Sequence, residues 1–266
     1  MDPQLMSLPL EDKIRKSREV ISDAFDKFDR TAIAFTGGKD STLMLWIIRN
    51  VCQEKHIEVP ELMFINEGYV FEEVKSFVEK IAEQWNLRLC EVKNNDVLKQ
   101  VSKVGDPVYV DRLNEENRQE LAKLGFKEKY FPFEPESYVG NHLMKTVAMK
   151  KYIKERGVQA LFTGIRWDEQ EARRDETYFS PREDHIRVHP ILHFRERDVW
   201  KAIKKFNIPT PVLYAQGYRS LGAKGSTTKT SDKPAWEQDL ESTPERAGRR
   251  QDKENIMKRL RELGYM

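Results

Sequence analysis

Residues Ala32-Ile33-Ala34-Phe35-Thr36-Gly37-Gly38-Lys39-Asp40-Ser41-Thr42-Leu43 constrain the fold more than any other stretch of this chain. A short apolar run leads into a pair of glycines, and a helix-forming sequence follows. Gly37 and Gly38 can adopt backbone angles closed to other residues and let a ligand approach the main chain. The free amides and positive end of the next helix then face an anion. Lys39 adds a cation, Ser41 a hydroxyl, and Asp40 stands where it can cap the helix. Two adjacent glycines alone would describe an ordinary strand–turn–helix connection; the whole string describes a phosphate receptor.

The spacing matches neither the loop with four residues between its glycine and Gly-Lys, nor G-x-G-x-x-G. Upstream, apolar residues Ile14, Val20, Ile21, Ala24 and Phe25 predict an amphipathic helix over 10–28. Apolar runs predict strands at 31–35, 62–65, 87–92, 160–163 and 186–191. Helical patterns at 40–54, 71–85, 139–156 and 196–206 alternate with them. This alternation predicts an α/β fold with a parallel sheet of about five strands. On such sheets ligands sit outside the carboxyl ends, where the strand order reverses. Residues 94–138 interrupt the pattern and read as an insertion. A lid, a homodimer contact and a plain surface excursion all remain open for it. After 212 the periodicity fades, 217–234 is rich in Gly, Ser, Thr and Lys, and a last helix is expected over 252–263. The expected division is therefore a nucleotide domain over 1–212 and a flexible, basic tail over 213–266 that closes over the active site.

Composition narrows the class. The 266 residues are 39% hydrophobic, enough for one large core, and 34% charged. Basic and acidic residues number 46 and 44, a net charge of +2, and such balance argues against a dedicated nucleic-acid binder. There is no apolar signal core, and no apolar run near the roughly 18 residues that span a bilayer. A soluble, cytoplasmic protein without a membrane partner is expected. Cys52 and Cys90 lie far apart in apolar segments and read as buried thiols; no iron–sulfur cluster is expected.

A second cluster follows the fourth strand: Gly164-Ile165-Arg166-Trp167-Asp168-Glu169-Gln170-Glu171-Ala172-Arg173. Its composition alone describes a solvated turn, but on a parallel sheet it opens at the same edge as the glycine pair. Arginines there can neutralise phosphate in forked geometry, and carboxylates can hold magnesium through water. A third group lies in the tail, Tyr218-Arg219-Ser220-Leu221-Gly222 and Glu245-Arg246-Ala247-Gly248-Arg249, on either side of the flexible segment.

The string Thr36 to Ser41 resembles the pyrophosphate loop (PP-loop) of the ATP pyrophosphatase superfamily, whose members break ATP between the α- and β-phosphates. Together with Gly164 to Arg173, Arg187-Val188-His189-Pro190-Ile191, Asp198-Val199-Trp200, Leu213-Tyr214, Gly217 to Gly222 and Glu245 to Arg249, it resembles one branch of that superfamily. That branch is the adenine-nucleotide α-hydrolase family of phosphoadenosine-phosphosulfate (PAPS) reductases, the small catalytic subunit of bacterial ATP sulfurylase and eukaryotic-type FAD synthases. Asn66-Glu67-Gly68 stands where the family usually has D-T-G. The reductases need a cysteine near the C-terminus, and this chain has none after Cys90, with Ala223 following its Ser-Leu-Gly. A methyl group cannot act as a thiol nucleophile, so the adenylyl-transfer branches remain. Arg166 to Arg173 and the ending Pro244 to Arg249 are similar to the sulfurylase subunit. Leu213 to Gly222 is similar to FAD synthases.

The resemblance implies a Rossmann-like, doubly wound sheet with helices on both faces, and an enzyme that adenylylates an acceptor and releases pyrophosphate. Sulfate is the first expected acceptor and FMN the second; a cysteine-less PAPS reductase-family protein that binds adenylyl sulfate nucleotides, and a protein that only binds nucleotide, are the remaining classes. ATP and Mg2+ are implied, with Asp40 near the metal, and so is a GTPase partner for a sulfurylase. Lys39, Arg166 and Arg173 are the expected catalytic residues. The nucleotide would be held by Ala34, Phe35, Thr36, Gly37, Gly38, Lys39, Asp40, Ser41, Ile65, Asn66, Gly164, Arg166, Asp168, Glu169, Arg219, Arg246 and Arg249. Tyr130, Phe131 and Phe133 are candidates for a flavin slot, against ordinary core packing.

Overall fold

The structure, a computed structural model, describes residues 1–248. Six strands form the main sheet: β1 (Thr31–Ala34), β2 (Glu61–Ile65), β3 (Leu89–Val92), β6 (Ala160–Phe162), β7 (Phe179–Pro181) and β8 (Ile186–Val188). Their order is β3-β2-β1-β6-β8-β7. The first five in that order run parallel, and they are the five strands the sequence predicts.

Period-two alternation distributes the core between two faces. Ile33, Leu62, Phe64, Ala160, Phe162 and Val188 point to one face. There they meet the helices Leu10–Lys27, Lys39–Lys55, Glu72–Gln84 and Glu196–Lys205. Ala32, Met63, Val92 and Leu161 point to the other and meet Ala148, Tyr152 and Ile153 of the helix Ala148–Arg156. Strands with apolar residues on both faces are what a sheet covered on both sides requires. The sheet is doubly wound, with its order reversing between β1 and β6.

Two features depart from the expected pattern. β7 is a sixth strand, antiparallel to β8 at the sheet edge. Its three residues end in Pro181, a residue that only an edge strand accommodates. The insertion is a packed unit: β4 (Pro107–Tyr109) and β5 (Tyr130–Pro132) form a small antiparallel ladder beside the helix Glu115–Lys123. Val97, Val108, Leu121, Phe131, Phe133, Leu143 and Met144 make its core. Phe131 and Phe133 are thus core residues, while Tyr130 is 58% exposed beside Tyr109. The helical stretch after Ser137 contains a π-helical segment, His142–Val147. His142 is buried there and bonds the Glu120 carboxylate at 2.7 Å.

Among the described residues, no helix is long and apolar enough to cross a membrane. Cys52 is buried and Cys90 half-buried, both as free thiols, and burial pushes the Cys52 thiol up to about 12. The last expected helix, 252–263, lies outside the described residues.

Candidate active site

The glycine pair sits at the carboxyl end of β1, beside the point where strand order reverses. Gly37 has φ +75°, and a Cβ there would lie 2.8 Å from Val78. Only glycine suits that backbone and that contact. The loop bonds to itself: Thr36 and Ser41 hydroxyls lie 3.0 Å apart, and Ser41 and Thr42 hydroxyls donate to the Gly38 carbonyl. Gly38 is the N-cap of the helix Lys39–Lys55 and no side chain caps it. Asp40 is therefore not the cap that its position suggested. Its carboxylate accepts from Arg166 and from Lys39 Nζ instead.

Arg166 arrives from the loop after β6. Gly164 makes this approach possible, because a Cβ on it would stand 2.9 Å from the Ser41 nitrogen and 3.0 Å from the Asp40 carbonyl carbon. Arg166 is 0% exposed and bonds three carboxylates, those of Asp40, Asp168 and Glu245. The second oxygen of Asp168 accepts from the Glu196 amide at 2.8 Å, in the first turn of the helix Glu196–Lys205. Lys39 is 1% exposed, and its ammonium bonds Glu245 and Asp40 with Glu196 4.0 Å away.

Glu245 is the centre of this arrangement. One carboxylate oxygen accepts from Lys39, the other from Arg166. Burial would raise its pKa, but the two cations outweigh burial and pull it down to about 2. Burial works likewise against the charge on Lys39 and Arg166, and the carboxylates, Glu245 first, raise both. The tail also supplies Tyr214, whose phenol oxygen accepts the Lys39 amide at 2.9 Å.

The other predicted residues are placed as follows. Arg246 bonds Glu169, whose pKa is lowered because Arg246 and Arg173 outweigh burial. Arg173 lies 3.9 Å from Glu176. Arg219, 2% exposed, grips Glu196 through Nε and Nη2 and donates to the Asp239 carbonyl and Thr243 through Nη1. It thereby ties the tail to the start of the helix Glu196–Lys205. Phe35 is buried and its amide donates to the Met63 carbonyl, so only its carbonyl is left to meet a ligand. Ala34 and Ile65 are ladder residues of β1 and β2. Asn66 shapes the turn after β2, donating to Glu91 and accepting from the Gly68 amide. Beside it opens a cavity of about 390 Å³ lined by Gly68, Tyr69, Lys75, Lys93 and Lys224. Arg249 lies outside the described residues.

The residues that sequence reasoning missed are Glu245, Glu196 and Tyr214. Two of them lay within strings that resemble the family, Leu213-Tyr214 and Glu245 to Arg249. Glu196 carried no signal beyond being an acidic residue at a helix start. Among the described residues no group of three His, Cys, Asp or Glu side chains is placed to hold a metal. Lys39, Arg166, Arg219 and Arg246 face Asp40, Asp168, Glu169, Glu196 and Glu245, so every expected anion-binding cation in this network is paired internally.

A family model, the phosphoadenosine phosphosulfate reductase domain, matches residues 30–229. Sulfate adenylyltransferase subunit 2 of Shewanella sp. (strain W3-18-1) is 24% identical over 82% of this chain and 70% of its own length. Among solved structures, FMN adenylyltransferase of Candida glabrata superposes with a TM-score of 0.65 at 15% identity, covering 93% of each chain. The phosphoadenylyl-sulfate reductase of Candida auris, a phosphate complex, superposes at 0.58 with 20% identity over 84% of this chain and 98% of its own. These relatives are enzymes, and the solved structures share the fold. With the glycine-pair loop at the sheet's switch point and the family model spanning most of its length, the chain belongs to the phosphoadenosine phosphosulfate reductase family.

Proposed function

We propose that this protein is an adenylyltransferase that cleaves ATP between the α- and β-phosphates and passes AMP to an anionic acceptor, sulfate first. The observation that carries the reading is the seat of Glu245: two cations from separate elements, Lys39 and Arg166, converge on one anion at the start of a helix. A phosphate placed there meets the same two donors and the helix's positive end.

In this reading Lys39 and the loop amides hold the departing pyrophosphate, while Arg166 faces the α-phosphate and the incoming acceptor. Arg173, at the end of the short 3-10 helix Glu171–Arg173 in the same loop, would neutralise the acceptor. The protein has little covalent work to do; it aligns the two oxyanions and stabilises charge. Asp40, whose carboxylate bonds the same Lys39 and Arg166, stands beside the expected phosphates. Magnesium, which is commonly held by one or two carboxylates and the phosphates themselves, would be shared there and neutralise the tail of ATP. The adenosine end has room beside Asn66, where the cavity opens at the end of β2.

Sulfate is favoured as acceptor by the sulfate adenylyltransferase relatives and by the strings Arg166 to Arg173 and Pro244 to Arg249. A GTPase partner subunit belongs to that reading, since sulfate is a poor nucleophile. FMN is the second reading, favoured by the string Leu213 to Gly222. Its flavin would need a wall other than Phe131 and Phe133, which are committed to the insertion's core. Thiol-based reduction is disfavoured by the lack of any cysteine after Cys90; Ala223 is buried where such a thiol often follows the Ser-Leu-Gly string.

The test is incubation with ATP, magnesium and either sulfate or FMN, with and without a GTPase subunit, followed by identification of the adenylylated product. Adenylyl sulfate supports the first acceptor and FAD the second. Arg173→Ala should cut pyrophosphate release by about a hundredfold while ATP binding persists. A chain that binds ATP and yields no product with either acceptor is a binding protein.

A further inference from the structure

The tail occupies the anion seat of its own chain. Glu245 places one oxygen on Lys39 and one on Arg166, the pattern two oxygens of a single phosphate would make. Tyr214 places its phenol oxygen on the Lys39 amide, which a phosphate would otherwise receive. Both groups come from beyond residue 212, and both are buried. The local charge is already balanced by internal carboxylates, so a polyanion cannot simply be added. One carboxylate has to leave, and Glu245 is the one held by the tail.

We infer that Glu245 is an internal competitor for the phosphate position, and that residues 243–248 must lift from Lys39 and Arg166 before a pyrophosphate-bearing ligand can enter. The inference rests on the reading that Lys39 and Arg166 hold phosphate. It makes Glu245 a selectivity device: a ligand gains entry by bringing a phosphate to replace the carboxylate, and an uncharged nucleoside does not engage it. The ties on either side set how firmly the carboxylate is seated. Arg219 anchors Thr243 and the Asp239 carbonyl, Arg246 bonds Glu169, and the Thr228 amide bonds the Gly248 carbonyl at 2.9 Å. Apparent affinity is lowered by the fraction of molecules whose seat is open.

The experiment measures binding of inorganic pyrophosphate and of adenosine to the full chain, Glu245→Gln and Lys39→Ala by calorimetry. Glu245→Gln should bind pyrophosphate about tenfold more tightly than the parent, with adenosine unchanged, and Lys39→Ala should lose pyrophosphate. Unchanged or weaker pyrophosphate binding by Glu245→Gln, with Lys39→Ala still defective, overturns the competitor and leaves the site reading standing. Undiminished binding by Lys39→Ala, or none by any of the three, overturns both. Should Glu245→Gln fold poorly, the parent answers by itself: pyrophosphate, and not adenosine, should speed tryptic cleavage after Arg246. Protection of that bond by pyrophosphate would overturn the inference.

Discussion

At the scale of single residues, the site is a set of charges that cannot be removed independently. Arg166 is buried among Asp40, Asp168 and Glu245. Removing it strands carboxylates in the interior, and breaking a buried pair in this way costs about 3–5 kcal/mol. Arg166→Ala should therefore lose both activity and stability, the latter read by urea denaturation. Lys39→Ala leaves Glu245 its bond to Arg166, so it should lose pyrophosphate release by about a hundred- to thousandfold at a smaller cost in stability. Equal destabilisation of the two variants would contradict this account. Gly164→Ala tests the approach of β6 to the loop without touching a charge. Its methyl would press on Ser41 and Asp40 backbone, and overpacking of this kind costs about 1–3 kcal/mol. A melting temperature unchanged from the parent would show that the two segments can separate freely.

At the scale of elements, the tail depends on one buried fork. Arg219 joins Glu196, at the start of a sheet-covering helix, to the turn at Asp239 and Thr243. Arg219→Ala should raise hydrogen exchange across 239–248 while the amides of β1 and β6 stay protected. Uniform exchange across the chain would mean that the fork supports the whole domain and not the tail. The parallel strands were legible in the sequence because each is a short apolar run between helical patterns, and Gly37 marked which strand end carries the site. The edge strand β7 was not legible: three residues ending in proline carry no alternation. The same holds for the three-residue strands β4 and β5, whose pairing is set by the insertion's own core. Residue types at the site could be read, since arginines after a parallel strand point to one sheet edge. Their partners could not. Lys39 and Glu245 stand 206 positions apart and Arg166 and Glu245 stand 79, and only the closed fold makes them neighbours.

At the scale of the whole molecule, the buried histidines set how the protein responds to acid. His142, His185, His189 and His193 are all buried, and burial holds each below its ordinary value. His189 and His193 are pushed down to about 4. Above pH about 6.5 folded and unfolded histidines are both neutral, and the full stability is present. As pH falls from there toward 4, the unfolded chain takes up protons that the folded chain refuses, so stability must fall. Melting temperature followed from pH 7 to 4 should drop, and His193→Gln should shallow the drop; a flat profile in the parent would contradict the burial of these rings as neutral groups. The Glu245 seat behaves differently, since its carboxylate keeps its charge to about pH 2. The central claim is that the loop at β1 and the loop after β6 together hold ATP for attack at its α-phosphorus. The measurement that tests it most directly is 31P NMR of ATP and magnesium with the full chain and an acceptor, beside the same mixture with Lys39→Ala. Pyrophosphate and an AMP-linked product from the parent, both absent with the variant, are the predicted result. ADP and orthophosphate, or pyrophosphate release undiminished in Lys39→Ala, would contradict it.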